Sequence, residues 1–157
     1  MNIKAVVRAG LLAFVTISVI TLIVKSLQRP PESQSEPPSD GVALIYFYSN
    51  TRCAACQRIE DQAHHALTSG FPQELRAGKL HWRTMNYERF ENMRLARRYQ
   101  IAMPMVVVTR WENGDEQDWL RLDRVWDLQT DRAAFLAYVQ AETRAFLANS
   151  DLGEAVE

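Results

Sequence analysis

The chain has 157 residues, a formal net charge of −1 and 24% charged residues, which leaves room for one domain of ordinary size and one appendage. The charge balance argues against a nucleic-acid partner: from Gly41 onward 14 Lys and Arg face 16 Asp and Glu, and Lys79 is the one lysine among them. Both cysteines of the chain fall in a single four-residue motif. They form no stapled scaffold, and their role is chemical.

Residues 1–8 read as a short cytoplasmic N-terminus. Ala9 to Val24 is a predominantly apolar run without charges, between Lys4 and Arg8 on one side and Lys25 and Arg29 on the other. Its 16 residues fall just short of the ~17–25 of a membrane span, and snorkelling by Arg8 and Lys25 supplies the remainder. An uncleaved signal anchor over residues 9–25 is the expectation, with a cleaved signal peptide as its rival. Lys25-Ser-Leu-Gln-Arg-Pro-Pro31 offers a poor cleavage site. With the terminal amine, Lys4 and Arg8 outweigh Lys25 and Arg29 and keep the N-terminus cytoplasmic, so the chain beyond the anchor lies on the non-cytosolic side, the periplasm in a bacterium. Residues 26–40 are a polar, proline-rich linker that reaches ~3.1 Å per residue when extended.

The domain is expected over residues 41–148, with a flexible tail at 149–157. Val42-Ala-Leu-Ile-Tyr-Phe-Tyr48 has the continuous apolar pattern of a strand buried on both faces. Ser49-Asn-Thr-Arg52 then makes a polar turn into Cys53-Ala-Ala-Cys56 and a helix. A thiolate at a helix N-terminus meets unpaired N–H groups and the positive end of the macrodipole, which lower its pKa from the free value of roughly 8.5. Arg52 is expected to push the same way. Two intervening residues let the cysteines close into a small disulfide within one turn. Cys56, Ile59, Ala63, Ala66 and Leu67 share one stripe of a helix ending near Gly70. Cys56 is therefore on the buried side and Cys53 at the exposed tip, which makes Cys53 the attacking and Cys56 the resolving thiol.

Phe71 to Ala77 predicts a short helical turn stopped by Gly78, and Lys79 to Met85 alternates as a second, parallel strand. Phe90 to Tyr99 predicts a helix offering Phe90, Met93, Leu95, Ala96 and Tyr99 to the core, with Arg94, Arg97 and Arg98 on a solvated face rather than an acidic-partner patch. Met105 to Thr109, the turn Glu112-Asn-Gly-Asp115 and Gln117 to Leu122 predict an antiparallel hairpin. Thr130 or Asp131 caps a last helix carrying Phe135, Leu136, Val139, Thr143, Phe146 and Leu147 inward.

Strand, turn, CxxC and helix together resemble the thioredoxin superfamily, and so does Arg98-Tyr-Gln-Ile-Ala-Met-Pro-Met-Val-Val-Val-Thr109. The resemblance covers about Gly41 to Leu147. It implies a three-layer α/β fold, a central mixed sheet with helices on both faces, here following a single transmembrane helix. It further implies a cis-proline at Pro104 across from the CxxC, and a substrate groove formed by Met103 and Pro104. Two departures stand out: the Ala-Ala dipeptide between the cysteines, and Tyr46 or Phe47 where the family keeps a buried acid.

The implied activity is thiol-disulfide exchange on protein disulfides or thiols, with the Cys53–Cys56 disulfide as the redox group, no other cofactor, and a membrane or soluble partner to recharge it. Glu60, near the edge of the buried stripe, is either a stand-in for the missing acid or an exposed helix carboxylate. His64 and His65 lie three helical turns beyond Cys53, roughly 16 Å at 1.5 Å per residue, too far to join it in ligation. A resident metal is not expected. Two alternatives stay open: a copper(I)-handling module using Cys53, Cys56 and Met103, and a redox-inactive adaptor that uses the fold as a docking surface.

Overall fold

The computed structural model describes residues 38–154. The apolar run at 9–24, the linker up to residue 37 and the last three residues lie outside the described residues, and the expected anchor lies with them. Among the described residues, no helix is long and apolar enough to cross a membrane.

The centre of the domain is β1 (Gly41–Tyr48). It pairs in parallel with β2 (Leu80–Asn86), Tyr48 opposite Asn86, and antiparallel with β3 (Met105–Glu112), Phe47 opposite Met105. A hairpin joins β3 to β4 (Asp115–Arg121) and completes the four-stranded order β2-β1-β3-β4. Its turn residues Asn113 and Gly114 both have positive φ, 54° and 82°, as the Asn-Gly pair predicts.

Alternation along β1 divides the core in two. Val42, Leu44 and Tyr46 face Ile59, Ala63 and Leu67 of α1 (Ala54–Gly70), Phe71 just before α2 (Pro72–Ala77), Val125 of α4 (Val125–Leu128), and Phe135 and Val139 of α5 (Arg132–Glu154). Ala43, Ile45 and Phe47 face Val107 and Tyr99, with Leu95 of α3 (Met93–Arg98) and Trp119 packed alongside. Helices cover both faces of a mixed sheet, the thioredoxin-like α/β layout that the resemblance implied.

Local chemistry explains the boundaries and the differences. Asp131, not Thr130, caps α5, its Oδ1 accepting the Ala134 N–H at 3.1 Å. The helix then continues to Glu154, past position 148, where the domain was expected to end. The short α4 carries no sequence signal beyond three apolar residues, Val125, Trp126 and Leu128. Gln62 joins the buried stripe of α1, because its Nε2 donates to the Gln129 carbonyl at 2.8 Å. Phe90 leaves the core altogether and is 87% exposed. A 3₁₀ turn, Phe90–Asn92, precedes α3, and three residues per turn break the phase that would have carried Phe90 inward. Arg98 leaves the other two arginines and pairs with Glu116 at 2.7 Å, beside the Tyr99 hydroxyl that donates to the same carboxylate.

Gly41 opens β1 with φ of 101°, and a Cβ there would stand 2.7 Å from the Lys79 carbonyl oxygen. Strained backbone of this kind costs about 1–3 kcal/mol per residue. Gly41→Ala should lower unfolding free energy by at least that range in urea titration. An unchanged midpoint would show that the strand start relaxes freely.

Candidate active site

The turn after β1 is fastened at several points before it reaches the cysteines. Ser49 Oγ donates to the Thr51 carbonyl at 2.8 Å. The Asn50 N–H donates to Glu88 Oε2, and Asn86 Nδ2 donates to Asn50 Oδ1, both at 2.8 Å. Cys53 then serves as the N-cap of α1, extended at φ −86° and ψ 158°, with its Sγ accepting the Cys56 N–H at 3.0 Å. Cys53 and Cys56 are disulfide-bonded with Cα atoms 5.0 Å apart. Cys56 is buried, as its place on the stripe predicts; Cys53 is half-buried rather than at a fully exposed tip. No acidic residue occupies the first turn of α1, so nothing there opposes negative charge on Cys53.

Arg52 and Glu60 meet at 2.7 Å across the disulfide-bearing turn, and the Arg52 guanidinium also lies 4.8 Å from the centre of the Tyr48 ring. Arg52, the residue before Cys53, is thus ion-paired with Glu60. Burial raises the Glu60 pKa, and the Arg52 charge and hydrogen bond oppose the rise. Beneath them, the Tyr46 hydroxyl donates to the Cys56 carbonyl at 2.8 Å. Burial first, then the Glu60 charge, hold the Tyr46 pKa far above the ordinary phenol value, so it stays a donor throughout the usual pH range. Tyr46, not Phe47, thus underlies the cysteines. Phe47 points into the opposite core, its ring 5.7 Å from Tyr99.

Because Met105 pairs with Phe47, Met103 and Pro104 lie at the end of the sheet where β1 hands the chain to Cys53. Met103 is 44% exposed, and Pro104 is buried with its carbonyl accepting Trp126 Nε1 at 2.8 Å. Met103 also lines a small recess of ≈150 Å³ with Ile101, Met105 and Arg121. No peptide bond among the described residues is cis. The expected cis-proline is thus corrected: Met103–Pro104 takes the trans form that X–Pro bonds favour by about 0.5–1 kcal/mol. His64 stacks obliquely on Trp82, ring centres 5.2 Å apart.

Two features escaped the sequence reading: the hydroxyl contact of Tyr46 and the polar staple Asn50–Asn86–Glu88. The signal for the staple was present as asparagines at the ends of two adjacent strands, a position where they bond local backbone.

No protein-family model and no curated protein matches the chain. Solved structures similar to it include a Fasciola hepatica thioredoxin at 15% identity, covering 62% of this chain and 84% of that one with a TM-score of 0.37. The germline-specific thioredoxin Deadhead of Drosophila is similar at 19% identity, 62% and 83% coverage and a TM-score of 0.39. A thioredoxin-like protein from Clostridium perfringens is similar at 18% identity, 59% and 71% coverage and a TM-score of 0.38. These likenesses are distant and transfer no residue role.

Glu60 makes the site pH-sensitive in a definite direction. Its pKa is raised in the fold, so the folded chain holds that proton more tightly than the unfolded chain does. The stabilisation is complete below the unfolded value and is lost as pH rises through the folded one. Relative to Glu60→Gln, the oxidised chain should therefore be more favoured at about pH 4 than at about pH 7, as read by urea midpoints. A difference that stays constant or grows with pH would contradict the assignment.

Proposed function

We propose that the chain is a thiol-disulfide oxidoreductase acting on protein disulfides or thiols, tethered to a membrane by residues 9–25 with its domain on the non-cytosolic side. The observation that carries the redox reading is the half-buried Cys53 sulfur at the N-cap of α1, faced by the Cys56 N–H and linked to a buried Cys56. The tether rests on the apolar run and its flanking charges alone.

In the reducing direction, the Cys53 thiolate attacks a substrate disulfide. A Cys53–substrate disulfide forms, and the other substrate sulfur leaves as a thiolate that takes a proton from water. Cys56 then gives its proton to the Glu60 carboxylate, four residues on and one helical turn away. The Cys56 thiolate attacks Cys53 Sγ, the internal disulfide closes, and the second substrate sulfur leaves as thiolate. Burial suits Glu60 to this task, because it raises proton affinity toward the range of a working base. Arg52 holds the carboxylate in place. Substrate backbone pairs with the exposed chain at Met103 by short strand addition, bordered by Pro104. The reverse sequence oxidises thiols, and a membrane or soluble redox partner resets the pair.

Cys56→Ser should accumulate mixed disulfides through Cys53, whereas Cys53→Ser should accumulate almost none, as read on non-reducing gels. The alkylation midpoint of Cys53 should lie below about 8.5. A midpoint at or above that value, with no trapped species in Cys56→Ser, would favour the adaptor reading.

The tether has a separate test. The chain should sediment with membranes and resist alkaline carbonate extraction, and external protease should reach the domain only from the non-cytosolic side. Recovery of a soluble mature chain beginning near Pro30 would overturn it.

A further inference from the structure

Among the described residues, the large apolar side chains left exposed are Phe90 at 87%, Met103 at 44% and Leu120 at 38%. A single exposed hydrophobic residue is ordinary and needs no function. The placement of Phe90 is what distinguishes it. It sits on the segment after β2, at the same end of the sheet as Cys53, since Asn86 at the close of β2 pairs with Tyr48 at the close of β1. Met103, on the segment entering β3, flanks the cysteine turn from the other side.

The segment that carries Phe90 is built to hold still. Asn86, 4% exposed, accepts the Glu88 N–H on Oδ1 at 2.9 Å and donates from Nδ2 to Asn50, while its carbonyl accepts Asn92 Nδ2 at 2.9 Å. Glu88 closes the ring by accepting the Asn50 N–H. Tyr87 is drawn in by its own N–H, which donates to the Tyr48 carbonyl at 3.0 Å. The 3₁₀ turn bearing Phe90 is therefore fixed to the same turn that delivers Cys53. An aromatic ring offers a large apolar area for contact, and a fixed backbone beneath it lowers the ordering cost of binding.

We propose that Phe90 is a specificity-determining contact, taking an apolar side chain that lies close in sequence to the reactive cysteine of a protein substrate. This rests on the oxidoreductase reading of the cysteine pair. Phe90 touches no reacting atom and contributes only to recognition, so it discriminates among polypeptides and is indifferent to small disulfides. Burying part of a phenyl ring is worth roughly a tenfold rate preference.

The test uses the full chain, pre-reduced and in mild detergent, in single-turnover reactions with three disulfides: 2-hydroxyethyl disulfide, and two peptide disulfides identical except for Leu or Ser beside the cysteine. Wild type should prefer the Leu peptide by roughly tenfold. Phe90→Ser should abolish that preference and leave the rate with 2-hydroxyethyl disulfide unchanged, and Phe90→Leu should keep most of it. An unchanged preference in Phe90→Ser, or an equal fall with all three disulfides, would overturn the proposal. Failure of wild type with all three would overturn the oxidoreductase reading as well. Sedimentation provides a further arm: self-association that Phe90→Ser abolishes would make a second copy the occupant and reject a substrate role.

Discussion

Strand β1 has no free side. Its edges are hydrogen-bonded to β2 and β3, and its faces are pressed into two separate apolar cores. A slip by one residue would exchange Val42, Leu44 and Tyr46 for Ala43, Ile45 and Phe47, sending a phenol into the cluster around Tyr99 and a plain phenyl beneath Cys56. Burial of each large apolar side chain is worth about 1.5–3 kcal/mol, against about 0.5–1.5 kcal/mol for one hydrogen bond. Packing therefore sets the register. The Tyr46 hydroxyl then arrives under the Cys56 carbonyl as a consequence of that register, and the position of the disulfide is inherited from the strand.

The electrostatics of the cysteine turn come down to which positive charge remains unneutralised. Arg52 is answered by Glu60 at 2.7 Å, and its guanidinium also rests on the Tyr48 ring. The N-terminus of α1 is not answered, because its first turn holds no acid and its N–H from Cys56 points at Cys53 Sγ. The helix end and Arg52 therefore differ in their surroundings: Arg52 is paired with Glu60, whereas the first turn of α1 carries no acid. A carboxylate this deep in the site, with 20% of its side chain exposed, needs such a partner to remain ionised at modest cost.

Much of this was legible in the sequence, for identifiable reasons. The continuous apolar run of β1, the Asn-Gly turn and the stripe from Cys56 to Leu67 are patterns in which local chemistry and tertiary packing agree. Phe90 departs from its expected place because a 3₁₀ turn changes the helical phase without leaving a mark in the hydrophobic pattern. Gln62 gives no signal because its burial depends on a carbonyl 67 positions away, at Gln129. Met103 and Pro104 fall at the expected end of the sheet, yet the isomer at Pro104 came from resemblance and the structure has it trans. The Arg52–Glu60 ion pair gave no signal because it joins residues eight positions apart across the cysteine turn, a proximity that only the fold creates.

The cysteine turn and the segment bearing Phe90 belong to one mechanical unit, and Asn86 is the reason. Its side chain must both accept from the Glu88 N–H and donate to Asn50 Oδ1. An aspartate there has no proton to donate when ionised, and a leucine of similar volume satisfies neither group. Each of these bonds nets little on its own, but leaving the buried partner unpaired costs about 1–3 kcal/mol. Displacing either segment alone would open several such bonds together. The turn that delivers the disulfide and the 3₁₀ turn that bears the exposed Phe90 are therefore tied to one another through Asn86, Asn50 and Glu88.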